Sequence, residues 1–333
     1  MPEIIGIGAL NMDRLYLVER IGAPGEELII DSASEQPGGS AANTIVGLAR
    51  LGVKTGFIGT VGDDSDGACI RSEMEEEGVD VSGIETADCA GRTGAVLVIV
   101  DGRGERSMYV YSGANDALNL TSKNLLYANS AKFLHLSSFA CEDQFEMQKE
   151  FIDRSEARIS FAPGMLYAER GIDALHGTIS QTEIVFLNRD EMGILTGSEY
   201  RDGAKEINEI GAAIVAVTLG GDGCYIRTKD GEISVPASFA EVVDTTGAGD
   251  AFCAGFLCGL LGGRSLDYCG HMGNRVAAKC IEAVGARAGL PRQPPPYKYA
   301  SNGCGVGNVA IKGCRIAGCQ CLLDMMHAGI PLN

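Results

Sequence analysis

The chain has 333 residues, 45% of them hydrophobic, and 44 acidic against 27 basic side chains give it a formal charge of −17. A surface this acidic repels the phosphates of nucleic acid and of anionic membranes, so neither is expected as a partner. The start MPEIIGIGAL lacks the basic and apolar regions of a signal peptide, the apolar runs are strand-sized, and the twelve scattered cysteines read as reduced thiols, so a cytoplasmic protein without a transmembrane helix is expected.

Residues 3–8 (EIIGIG), short, apolar and bounded by glycine, predict a buried first strand. Between 14 and 36, alternating or polar segments around a Gly-Ala-Pro-Gly turn at 22–25 predict exposed strands. Apolar residues at 45, 48 and 51 predict a helix over 40–51, capped by Ser40 and stopped by Gly52. A strand at 55–62 and a helix at 64–78 follow, the helix with its acidic residues on the outer side. Runs at 93–101 and 105–112 flank Asp101-Gly102-Arg103-Gly104, a hairpin turn. Strands at 132–137, 157–161, 183–187 and 213–219 then alternate with helices at 143–155 and 202–210. A second hairpin over 223–236 turns at Asp230-Gly231, and helices over 247–262 and 266–284 complete the regular part.

This rhythm implies an α/β fold, a doubly wound, mostly parallel sheet flanked by helices. Two strand-only stretches, approximately 12–36 and 92–113, break it and are expected to form a small β-sheet lid. The main domain is expected to span 1–290. PRQPPP at 291–296 reads as an extended linker, opening a Gly/Cys-rich C-terminal extension that runs to 333. Cys304, Cys314, Cys319, Cys321 and His327 in that extension lack the paired C-x2-C of strong zinc sites and read as free thiols without a metal.

The chemistry concentrates in DTTGAGDAF at 244–252, ahead of an apolar helical stretch. Glycines at a helix start let the backbone approach a ligand, and the unpaired first amides with the helix dipole favour a phosphate. Asp250 falls in the first turn, where its carboxylate can take a proton from an attacking hydroxyl. Asn11 and Asp13 after the first strand have the capacity to grip vicinal hydroxyls, or to form a turn. Gly38-Gly39 before a helix suits close approach to a ligand or a plain strand–helix turn. Read alone, Glu191 is a solvated helix charge and 220–223 a hairpin turn.

DTTGAGDAF resembles the signature of the ribokinase (PfkB-type carbohydrate kinase) family. GGSAAN at 38–43 resembles that family's N-terminal signature, NRDE at 188–191 its Asn-x-x-Glu motif, and VTLGGDG at 217–223 its nucleotide-side strand and turn. The resemblance covers about residues 3–291. It implies a kinase that moves the terminal phosphoryl group of ATP to a hydroxymethyl group of a sugar or sugar-like molecule, or of a nucleoside. It makes Asp250 the base and the amides of Gly247, Ala248 and Gly249 the anion hole. It sets Asn11, Asp13, Gly38, Gly39 and Asn43 at the acceptor, and Asn188, Thr218, Gly220, Gly223 and Asn274 at the nucleotide. Glu191 would act through magnesium-bound water, and Asp244 with the loop at 284–289 resembles the potassium-type cation site of some members. A homodimer joined through lid strands is also implied.

The pattern departs from ribose-specific members at Ser137 or Ser138, where those carry Glu, and at Ala162, where many relatives carry Asp, so free ribose is not favoured. Tyr109 and Tyr111 share one side of a lid strand, positioned to cover the ligand or to pack within the lid. A dinucleotide-binding reading of Gly6-x-Gly8 fails because Asn11 occupies the third glycine's place and no helix begins there. A non-catalytic binding protein on the same fold is a further alternative.

Overall fold

The computed structural model describes residues 1–87, 91–103 and 105–295, and Met1–Pro295 forms one compact unit. The extension's cysteines and His327 lie outside the described residues. The chain opens with β1 (Ile4–Ile7), β2 (Asn11–Val18), β3 (Ile30–Gly38) and α1 (Ser40–Arg50), then β4 (Thr55–Val61), α2 (Ser65–Glu76) and β5 (Asp80–Thr86). The hairpin β6 (Gly94–Asp101) and β7 (Arg106–Tyr111) leads to α3 (Ser122–Ala128), β8 (Phe133–Ser137), α4 (Glu142–Arg154) and β9 (Arg158–Ala162). Next come α5 (Gly164–Ala168), α6 (Ile172–Ser180), β10 (Ile184–Asn188), α7 (Arg189–Thr196), α8 (Tyr200–Ile210) and β11 (Ile214–Thr218). The hairpin β12 (Cys224–Thr228) and β13 (Gly231–Val235) precedes α9 (Ala248–Leu261) and α10 (Leu266–Cys280).

Nine strands form the main sheet in the order β13-β12-β11-β10-β9-β8-β1-β4-β5. Every neighbouring pair from β5 to β11 is parallel, and β12 and β13 add antiparallel pairs at one edge. Alternation along the strands feeds two cores. Ile5, Ile7, Leu134, Leu136, Val185 and Leu187 face α3 through α8, whereas Ile4, Phe133, Ile184 and Phe186 face α1, α2, α9 and α10. Both faces are therefore buried, as a parallel sheet requires.

Close helix packing on the second face positions the site. A Cβ on Gly47 would lie 2.8 Å from that of Ala254, so α1 runs directly against α9. A Cβ on Gly255 would lie 2.7 Å from Met272 O, drawing α10 onto α9 equally tightly. The separate lid sheet has the order β3-β2-β6-β7, with β2 and β6 parallel and the outer pairs antiparallel.

Several expectations shift. The polar edge strand β5 and the helices α3, α5 and α6 carry no strong periodic signal and were not anticipated. Asn11 and Asp13 sit within β2, not in a turn. Ser40 is not the cap of α1. Gly39 holds that position with φ 105°, which leaves the Ser40 hydroxyl for another partner. The acidic face of α2 is not all solvated, since Glu73 pairs with Arg287 and Glu77 with Arg50. The second hairpin turns one residue earlier, because Gly231 already pairs with Thr228. The last helix ends at Cys280.

Candidate active site

The carboxyl ends of β8, β10 and β11, the start of α9 and one face of the lid sheet enclose a cavity of about 860 Å³. Ligands of doubly wound sheets bind at this end of the strands.

The turn into α9 makes its floor. Gly247 caps the helix with φ 75°, and any Cβ there would strike Ala286 at 2.5 Å, so only glycine fits. The Ala248 amide closes a turn on Thr245 O at 3.2 Å. Among the described residues, the amides of Gly249 and Asp250 have no backbone acceptor and remain for a ligand. A Cβ on Gly249 would meet nothing within 4 Å, which leaves room for a group close to the backbone.

Asp250 is held from α1. Ser40 Oγ donates to its Oδ1 at 2.7 Å, and Asn43 Nδ2 to its Oδ2 at 2.9 Å. Burial pushes its carboxyl up to about 6, against the hydrogen bonds from Ser40 and Asn43 and the charge of Arg287. A carboxylate titrating there is a competent base near neutral pH.

Asp13 lines the cavity with Oδ1 buried and without a hydrogen-bond partner. Burial pushes it up to about 7, with Arg287 opposing and Asp250 adding to the rise. A buried acceptor oxygen left unpaired is costly, and a ligand hydroxyl would satisfy it. Asn11 Oδ1 accepts from Asn115 Nδ2 at 2.9 Å, and Asn115 Oδ1 accepts from Leu10 N at 2.8 Å, which fixes the entry of β2. Gly39 and Asn43 line the cavity. Gly38 lies behind it, where a Cβ would sit 2.1 Å from Asp13 Oδ2; bare backbone there lets Asp13 stand in place.

Toward the other end, Asn188 and Glu191 form a reciprocal capping box on α7. Asn188 Oδ1 accepts from Glu191 N at 2.8 Å, and Glu191 Oε2 accepts from Asn188 N at 2.9 Å. Glu191 is thus a half-buried cavity residue rather than a solvated charge. Burial raises its carboxyl, with Asp250 and Asp190 adding to the rise and the Asn188 amide opposing it. Thr218 and Gly220 line the cavity beside it. Gly223 and Asn274 are not among the lining residues. A Cβ on Gly223 would meet Val235 O at 2.1 Å, and Asn274 Nδ2 donates to Pro236 O at 2.9 Å, so both shape the β13 end from behind. Asp244 also lines the cavity, and it accepts from Gly285 N at 2.7 Å, Thr246 N at 2.9 Å and Thr246 Oγ1 at 2.8 Å.

Besides Asn11 and Asp13, the lid presents Leu15, Val96, Val98, Met108 and Val110 to the cavity, with Gln36 and Arg106. Tyr109 and Tyr111 alternate with these residues and are absent from the lining, so they do not cover the ligand space. Sequence reasoning also missed Ser40, Asn115 and Arg287. The last is buried, with its Nε donating to Asn43 Oδ1 at 2.8 Å. Arginine in an irregular glycine-rich loop gives no local signal of that role.

Residues 1–293 match the profile of the pfkB family carbohydrate kinases. An uncharacterized sugar kinase of Archaeoglobus fulgidus is 42% identical over 250 residues, covering 74% of this chain and 99% of its own. An ATP-dependent ribose-1-phosphate kinase of Halopiger xanaduensis is 30% identical over 288 residues, covering 86% of this chain and 95% of its own. Among solved structures, Arabidopsis thaliana ribokinase complexed with ribose and ATP superposes with a TM-score of 0.77 at 24% identity, covering 87% of this chain and 96% of that one. The nucleoside kinase of Methanocaldococcus jannaschii gives 0.73 at 26% identity, covering 87% and 95%.

Proposed function

The chain belongs to the pfkB family of carbohydrate kinases, and on that premise we propose that it transfers the terminal phosphoryl group of ATP to a hydroxymethyl group of a sugar or sugar-like acceptor. The observation that carries this reading is one cavity holding a base titrating near 6, free amides at the start of α9, and an unpaired buried oxygen on Asp13. Asp13, Asn11 and Asn43 orient the acceptor. Asp250 takes the proton of its hydroxyl as the oxygen attacks phosphorus, and the first-turn amides, with the Gly247-Ala248-Gly249 backbone, hold the developing charge. Asn188, Thr218 and Gly220 lie along the nucleotide, with Gly223 and Asn274 supporting that end.

Glu191, half-buried in the cavity, would contact a magnesium ion through water, and the ion would offset phosphate charge. Asp244 accepts three hydrogen bonds, which leaves its carboxylate one further lone-pair site for a potassium ion. No helix among the described residues is long and apolar enough to cross a membrane, and the seven described cysteines are free. Both agree with a cytoplasmic enzyme. Leu97, Tyr109 and Tyr111, exposed on the lid face turned away from the cavity, suit pairing of two lids in a homodimer.

The apolar lid face also favours a second reading, a nucleoside acceptor whose base packs on Val98, Met108 and Val110. Incubation with magnesium-ATP, with and without potassium, against free sugars, sugar acids, sugar phosphates and nucleosides separates the two, read by phosphorus NMR. A phosphorylated sugar-class product is expected. Turnover of nucleosides alone would favour the second reading, and no transfer to any acceptor would overturn both.

A further inference from the structure

Arg287 follows α10 in the loop that passes behind the catalytic turn, and it is only 5% exposed. Besides its bond to Asn43 Oδ1, its Nη1 donates to Glu73 Oε1 at 3.3 Å and its Nη2 to Gly38 O at 3.5 Å. Its own carbonyl accepts from Arg50 Nη1 at 2.5 Å, and Arg50 is in turn paired with Glu77 at 2.9 and 2.7 Å. Arg287 is therefore held both at its backbone and at its guanidinium.

A carboxamide has one accepting end and one donating end, whereas a guanidinium only donates. With Arg287 on one side of Asn43 and the Asp250 carboxylate on the other, a single amide orientation satisfies both neighbours. Turned over, Asn43 would set NH₂ against a donor and its oxygen against a carboxylate. We infer that Arg287 is a positioning residue for phosphoryl transfer: it fixes the polarity of Asn43, and through Asn43 it holds Asp250 in place as the base. The inference rests on the kinase reading above.

Charge works in the same direction. Asp250 is faced by Ser40 and Asn43 from α1, Asp13 from β2, Glu191 from α7, Cys253 on its own helix and Cys280 from α10. Against the carboxylates of Asp13 and Glu191 stands Arg287, itself faced by Glu73, Asp13 and Arg50. Removing the cation raises the Asp250 carboxyl further, so the acid limb of kcat/KM moves to higher pH.

The test compares Arg287→Gln and Arg287→Lys with the wild type, with pH–rate profiles and carbon-13 titration of the Asp250 carboxyl. Arg287→Gln is expected to lower kcat by roughly 10- to 100-fold, with KM for ATP unchanged, and to raise limb and titration together by about 0.5–1 pH unit. Arg287→Lys keeps the charge without the fork. It should hold the limb within about 0.3 unit while kcat still falls several-fold. A wild-type limb and titration in folded Arg287→Gln would overturn the inference. Wild-type kcat in Arg287→Lys would do the same, and it decides alone if Arg287→Gln does not fold. The titration needs no acceptor, so it still judges the inference if the wild type phosphorylates nothing and the kinase reading fails.

Discussion

The body sheet surrounds its key carboxylate with fixed polar partners from α1 and the loop after α10, so Ser40, Asn43 and Arg287 converge on Asp250. The lid sheet offers the cavity an apolar patch of Leu15, Val96, Val98, Met108 and Val110 bordered by Asn11, Asp13, Gln36 and Arg106, and Met108 and Val110 on β7 stand 56% and 48% exposed. A hydrogen-bonded network locks geometry, whereas an apolar face on a small sheet excludes water and takes shape from what it covers. On the proposed function, the difference puts the chemistry in the body and the choice of acceptor in the lid.

The hardest blow to the body side is Gly247→Ala. It forces a side chain into φ 75° and against Ala286, so kcat/KM should fall by about 100-fold or more, with about 1–3 kcal/mol lost from stability in denaturant melts. Asp13→Asn sits where body meets lid. It should raise acceptor KM by roughly 10- to 100-fold and leave ATP KM unchanged. The same variant has a pH signature. Asp13 titrates near 7 when folded against 3.8 in its ordinary state, so its carboxylate costs stability that builds as pH rises through that window. Asp13→Asn should therefore be more stable than the wild type at pH 8, by about 1–3 kcal/mol, and no more stable at pH 4. On the lid, Met108→Ser with Val110→Ser should raise acceptor KM about 3- to 10-fold at constant kcat. Tyr109→Ser, on the opposite face, should change neither constant by more than about twofold. A loss of kcat from the lid variants would break the division of labour.

Much of this was legible in the chain. The strand–helix rhythm marks the doubly wound sheet because its strands are short apolar runs between helix signals, and DTTGAGD marks the glycine turn that opens α9 on the cavity. The motif Asn188-x-x-Glu191 can be recognised as a capping box, but its burial cannot, since that depends on what packs over α7. β5 was hidden because edge strands need few apolar residues. The tyrosines of β7 were visibly on one side; which side meets the cavity depends on register with β6 and β2, where Val110 pairs with Val96 and Val96 with Asp13. Arg287 was illegible for a different reason. It lies 244 residues from Asn43, and only the closed fold makes them neighbours.

The proposed role of Asp250 is to remove the proton of the acceptor hydroxyl. Asp250→Asn keeps the shape of the side chain and one acceptor oxygen for Asn43 Nδ2, with its NH₂ toward the Ser40 hydroxyl, but removes the base. Calorimetry of acceptor and ATP-analogue binding, paired with single-turnover transfer, measures it directly. Binding within about threefold of the wild type and transfer reduced by roughly 10²- to 10⁴-fold is the expected result. Wild-type transfer in the folded variant would contradict it.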